Sequence, residues 1–145
     1  MTPAHALYLA VALLTHGAVG YALARTTGTP TAAGLRGGVL PDVDLLFGRR
    51  LFFPFVHRGL LHTPLFVAGA ALVAYWWSGE RGTAAAVLVG GLSHLVIDSF
   101  TASGIMWLYP LDDRAVGAAL GAHGPLPTVV LWAGALLAVA WTRWR

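Results

Sequence analysis

The stretch "GGLSHLVIDSFTASG", residues 90–104, sets one histidine and one aspartate in a run that is otherwise small, apolar or hydroxylic. His94 and Asp98 are four residues apart, so on an α-helix they project from one face about one turn from each other. An ionisable pair inside an apolar helix is costly, and in a membrane span it marks function by default. Imidazole and carboxylate together are ligands for a divalent metal. The alternative is a His–Asp hydrogen bond that ties helices together.

The rest of the chain makes the membrane reading the governing one. Of its 145 residues 57% are hydrophobic and only 10% are charged, and the mean hydropathy is +0.71, far from a typical soluble domain. The length suits a single domain, residues 1–145. Cysteine is absent, so a metal must be held by His, carboxylate or backbone oxygen. All nine basic residues are Arg and the net charge is +3; arginines flanking spans explain this, and no patch is dense enough for nucleic acid. The N-terminus has no charged leader region and no cleavage signal before Arg25, which predicts a retained first span.

An all-α, multi-pass fold with four transmembrane helices follows. Pro3–Ala24 has the roughly 20 apolar residues a span needs. Thr63 and Pro64 read as cap and first residue of a second span ending at Trp77, after which "SGERG" is a tight turn. Spans three and four cover Thr83–Phe100 and Pro125–Trp141. Between spans one and two, residues 25–62 form a re-entrant or interfacial helical segment that begins with the turn-rich "TTGTPTAAGLRGG". Four alternating spans put residues 25–62 and 101–124 on one side, with Arg25, Arg36, Arg49, Arg50, Arg58 and Arg114. Arg81, Arg143 and Arg145 lie on the other. Six against three makes the first side cytoplasmic and leaves both termini outside.

Other polar residues converge on that side. "LPDVD" places Asp42 and Asp44 two apart, about 200° on a regular helix, so both serve one site only if the backbone turns there; otherwise they cap a short helix. "HRGLLHTP", residues 57–64, offers His57 and His62, which a bend could aim inward, and Arg58, whose planar fork suits a phosphate or carboxylate. The competing reading of Arg58 is an interfacial anchor. His16 lies two thirds along span one, with Gly20 permitting a close neighbour. His5 and His123 read as interfacial and fall outside the predicted site, Glu80 lies on the far side, and Asp112, Asp113 and Arg114 form a rim or solvate a loop. His16, Asp42, Asp44, His57, His62, His94 and Asp98 exceed what one tetrahedral ion requires. They fit one or two ions of zinc or manganese.

With these residues in place, the chain resembles the YdjM-like family of inner-membrane proteins assigned as metal-dependent hydrolases. The resemblance rests on "THGAVG" (15–20), "LPDVD" (40–44), "HRGLLHTP" (57–64) and "SHLVIDSFTASGIMWLYPLDDR" (93–114), in that order. It implies a multi-pass protein of a prokaryotic inner or plasma membrane with a His/Asp metal site, and a looser kinship to zinc-dependent phospholipase C. "HTP" stands here where the family more often has His followed by Ser. The function expected is hydrolysis of a phosphoester in a lipid or lipid-linked substrate, with Arg58 holding phosphate and Asp44 or a neighbouring His taking a proton. A non-enzymatic protein with a structural metal or a docking site, and an ion or solute transporter, are the alternatives. Membrane lipid is the expected partner, and small residues along the spans allow oligomers.

Overall fold

The computed structural model describes residues 2–50 and 52–144, with the side chains of 48–50 outside that description. The described chain forms α1 (Pro3–Thr26), α2 (Thr31–Val39), a 3₁₀ segment (Leu40–Arg50), a short 3₁₀ turn (Leu60–His62), α3 (Pro64–Ser78), α4 (Arg81–Ser99) and α5 (Pro125–Trp141). The described residues hold no strand, only an isolated antiparallel bridge between Ile105 and Val116. The all-α class is as the sequence predicts. Helix starts obey their local signals: Thr63 Oγ1 accepts from the Phe66 N–H at 3.2 Å, with Pro64 in the first turn. Gly79, at φ 70°, ends α3 in the left-handed conformation that the tight turn needs.

Residues 31–39 differ from expectation. They form a helix where glycine content suggested turns, because those glycines are packing contacts. A Cβ on Gly34 would strike the carbonyl of Gly20, one on Gly37 the carbonyl of Val87, and one on Gly38 the carbonyl of His16. Each glycine costs helix propensity of about 1 kcal/mol relative to Ala. Backbone approach between α1 and α4, which no larger residue permits, offsets that cost.

This insertion changes the topology. α2 runs back antiparallel to α1, so the chain returns to the end from which α1 started, and α3 then runs in the same direction as α1. The α1–α5 register shows the same arrangement: Trp132 Nε1 donates to Thr15 Oγ1 at 2.9 Å, and ten residues further along both helices Arg25 Nε donates to Thr142 Oγ1 at 3.2 Å. α1 and α5 are therefore parallel, and the chain ends lie at opposite ends of the molecule. The expected placement of both termini on one side is corrected, and the six-against-three arginine count loses its basis. Arg25 now shares an end with the α3–α4 turn, while the side chains of Arg49 and Arg50, and Arg145, lie outside the described residues.

Helix length separates the expected spans. α1 and α4, with 24 and 19 residues, are long and apolar enough to cross a membrane. α3 and α5, with 15 and 17, reach only about 22 and 26 Å against roughly 30 Å of hydrocarbon. Two of the four spans are thus supported by length. The apolar core consists of small clusters, Ala24, Ala33, Ala71, Ala86 and Val87 in one and Val67, Leu95 and Ile105 in the other. Large apolar side chains such as Leu72, Trp76, Trp77 and Leu137 face outward instead.

Gly90 stands where α4 meets α2, and a Cβ there would strike the Gly34 carbonyl and lie 2.8 Å from the Gly38 nitrogen. Gly90→Val should cost at least about 1–3 kcal/mol through overpacking. Gly69→Val, where a Cβ meets nothing within 4 Å, should be close to neutral. Thermal unfolding in detergent reads the difference, and equal Tm values would contradict the close packing of α2.

Candidate metal centre

The end of the molecule that holds the start of α1 also holds a polar centre. α1 contributes His16, the 3₁₀ segment after α2 contributes Asp42 and Asp44, the approach to α3 contributes His57, Arg58 and His62, and α4 contributes His94 and Asp98. His16, Asp42, Asp44, His62, His94 and Asp98 are all buried. The 3₁₀ geometry of Leu40–Arg50 resolves the spacing problem of "LPDVD". Asp42 and Asp44 flank one imidazole, with His62 Nε2 3.3 Å from Asp42 Oδ1 and Nδ1 3.4 Å from Asp44 Oδ2.

His94 carries the clearest chemical signal. Its Nδ1 lies 2.7 Å from the Gly38 carbonyl oxygen, which can only accept, so Nδ1 bears the proton. In the neutral ring Nε2 is then a lone pair. That lone pair faces Asp98 Oδ2 at 3.2 Å and Asp42 Oδ1 at 3.8 Å, and has no hydrogen-bond partner. Arg58 Nη1 meets Asp98 Oδ2 and His62 Nε2 meets Asp42 Oδ1, so His94 Nε2 is the atom left without a donor, and a proton or a metal ion there would satisfy it. A backbone carbonyl fixing the tautomer of a ligating imidazole is how metal-bound histidines are commonly oriented. The ring of His16 stacks on that of His94 at 3.8 Å between centroids, with His16 Nε2 3.4 Å from Asp98 Oδ1.

Charge points the same way. Asp42, Asp44 and Asp98 carry three negative charges into the interior, and Arg58 is the single arginine touching them among the described residues. With neutral imidazoles two negative charges remain. Like charges about 5 Å apart at an effective dielectric of about 20 repel by about 3 kcal/mol, more than a typical hydrogen bond returns. Burial pushes Asp44 up, but His57 and His62 outweigh it and hold its carboxyl at about 2. Burial likewise pulls His62 down, yet Asp42 and Asp44 on its two nitrogens leave it above the ordinary histidine value. A divalent ion bound there would supply the charge that protons on these histidines otherwise supply.

Four sets of three side chains bring ligand atoms within 4.8 Å of one another: His16, Asp98 and His123; His16, Asp42 and His94; Asp42, His57 and His62; and His62, His94 and Asp98. Six of the seven predicted ligands are in these sets. Asp44 is in none: its side chain is fully buried behind His57 and His62, 3.0 Å from His57 Nδ1. His123, set aside in the sequence as interfacial, belongs to the cluster, with Nε2 2.9 Å from Asp98 Oδ1. The segment 101–124 was already expected on the side of the site, so its one histidine could have been found from that placement.

Arg58 is less free than a bare phosphate clamp. Its Nη1 contacts Asp98 Oδ2 at 3.0 Å, Thr101 Oγ1 at 3.2 Å and the Asp98 carbonyl at 3.3 Å, at the C-terminal, negative end of α4. Its φ of 68° is unusual for a residue with a side chain, and these contacts hold it there. A cavity of about 300 Å³ opens on the cluster, lined among others by Tyr8, His16, His57, Arg58, Asp98 and His123, and also by His5, which the sequence reading leaves outside the site. Asp112, Asp113 and Arg114 line a separate surface groove with Phe53 and Tyr109, and Glu80 Oε2 accepts from Thr83 Oγ1 at 3.1 Å in the distant α3–α4 turn.

Metal analysis by mass spectrometry on detergent-purified protein should find near-stoichiometric metal in the wild type. His94→Ala and Asp98→Ala should lose it, and His123→Ala should weaken retention by about 10–100-fold. Metal-free wild type after metal-replete purification would contradict the assignment.

Comparison with known proteins agrees with this architecture. The family model described as "YdjM inner membrane protein" matches residues 3–145. "Uncharacterized protein YvsG" of Bacillus subtilis (strain 168) is 29% identical over 95 residues, covering 57% of this chain and 58% of that protein, so the match spans less than two thirds of the relative. No solved structure matches the chain. A match over nearly the whole chain, with apolar helices long enough for a bilayer, makes this protein a member of the YdjM family of inner-membrane proteins.

Proposed function

We propose that the protein is a membrane-bound metal-dependent hydrolase of a phosphoester in a lipid or lipid-linked substrate. The observation that carries the reading is the unpartnered His94 Nε2, facing two carboxylates beside a cavity that reaches the same cluster. α3 and α5 cross the membrane as short spans beside α1 and α4, with the bilayer thinned around them, and α2 with its 3₁₀ extension is the return limb. His16, Asp42, His62, His94 and Asp98 would hold zinc or manganese, as one or two ions, with His123 completing a set at the cavity wall. A divalent ion there supplies Lewis acidity, polarising a phosphoryl oxygen and making water acidic enough to ionise near neutral pH.

The chain's own groups divide the remaining work. His57 is 40% exposed at the cavity while Asp44 behind it is fully buried, 3.0 Å from Nδ1. A carboxylate behind an imidazole fixes its tautomer and leaves Nε2 as a base, the division of labour seen in Asp–His pairs generally. His57 is therefore the proton acceptor and Asp44 its positioning partner. Arg58 makes its protein contacts through Nη1, and among the described residues Nε and Nη2 have no partner, which leaves donors for a phosphate oxygen. The near-complete burial of His62, His94 and Asp98 favours one second reading, a closed structural ion without catalysis.

Hydrolysis of phospholipids and lipid phosphates in mixed micelles separates these readings. His57→Gln and Asp44→Asn should each lower kcat by about 10²-fold or more while most of the metal stays bound. Metal-loaded wild type that turns over none of these substrates, or variants as active as wild type, would favour the structural ion.

A further inference from the structure

A second groove shares no lining residue with the cavity of the metal centre. α2 and α3 both pack on α4 and leave between them a channel of about 840 Å³, floored by Val87 and walled by Ala33, Gly69, Val73, Ala74 and Trp77. Its walls are apolar over nearly their whole length, and its volume is within the range of about 300–1,000 Å³ usual for small-molecule sites. One charged residue belongs to the lining, Arg36 on α2, which is exposed and has no ion pair or side-chain hydrogen bond among the described residues.

The depth of Arg36 matters. Its neighbour Gly37 packs against Val87, six residues beyond Arg81, which puts Arg36 about 9 Å inside the end of α4. An unpaired guanidinium at that depth is costly in lipid unless it meets an anion or reaches the headgroups. Ser78 and Thr83 line the groove toward the same end. From Leu65 to Ser78 the groove follows α3 for about 20 Å, somewhat more than the roughly 15 Å of one leaflet's hydrocarbon. We infer that the α2–α3 groove is a binding site for one acyl chain of an anionic membrane phospholipid, its headgroup phosphate toward the end shared with the α3–α4 turn and met by the Arg36 guanidinium reaching out from mid-groove.

Gly69 provides a direct test, because it lines the groove and a Cβ there meets nothing within 4 Å. The probe is a phosphatidylglycerol carrying a photoreactive diazirine at mid-chain, with the phosphatidylcholine analogue alongside, incorporated into micelles of the full-length protein. Labelled peptides are mapped by mass spectrometry. In the wild type, labelling should concentrate on the α2 and α3 residues of the groove, several-fold above the outward face of α5, and phosphatidylglycerol should outcompete phosphatidylcholine. Gly69→Trp should remove the groove labelling, with Val73→Trp as a second blocking variant should the first fail to fold. Arg36→Gln should abolish the headgroup preference and keep the labelling by phosphatidylcholine. Uniform labelling of all outward faces, unchanged labelling in both blocking variants, or a disulfide between Val73→Cys copies showing a second chain in the groove would each overturn the assignment. Metal content measured on the same samples keeps this outcome separate from that of the hydrolase reading.

Discussion

Three carboxylates are carried into the middle of a molecule whose outer surface is apolar, and the rest of the architecture is arranged around meeting their charge. Asp42, Asp44 and Asp98 are each at most 8% exposed, while leucines and tryptophans line the outside. Five histidine rings and one guanidinium stand within 4 Å of these carboxylates. The largest fully buried side chains include three of those histidines. Such a centre persists only if backbone groups, protons or a bound cation satisfy it, because an uncompensated buried charge costs several kcal/mol.

α2 makes that possible. Its glycines let a backbone pass between α1 and α4, and the passage delivers two things at once: the Gly38 carbonyl that fixes the His94 tautomer, and the 3₁₀ segment that turns Asp42 and Asp44 onto His62. The same passage reverses the direction of the chain, so that the start of α1 and the start of α5 meet at the cavity. Tyr8 then lies edge-on to His123 with ring centroids 6.2 Å apart. Fold and site are one construction here. The close approach that shapes the topology also orients the ligands.

Much of this was legible in the sequence, and the reasons differ residue by residue. His94 and Asp98 are four apart on one helix, so local periodicity suffices, and proline and threonine signals place the starts of α3 and α5 correctly. The run 26–38 was misread because glycine signals a turn by its conformational freedom and a helix crossing by its missing side chain, and only the neighbours α1 and α4 decide between them. Once the segment 25–62 was read as re-entrant or interfacial, and so as leaving the chain on the side where α1 ends, the alternation of spans and the placement of the termini followed wrongly. His123 was excluded on its flanking glycines, a local signal, although its membership is set by the parallel α1–α5 register. The pairing of Arg58 with the end of α4 depends on a contact across 40 residues of sequence, which spacing cannot reveal.

X-ray absorption spectroscopy of the zinc-loaded protein addresses the metal centre most directly, because it reads the ligands of the ion itself. A shell of nitrogen and oxygen at about 2.0–2.2 Å, with outer-shell scattering from at least two imidazoles that is lost in His94→Ala, is the result these contacts predict. A shell of oxygen alone, unchanged in His94→Ala, would mean that the ion sits elsewhere and that the His/Asp cluster is held together by protons.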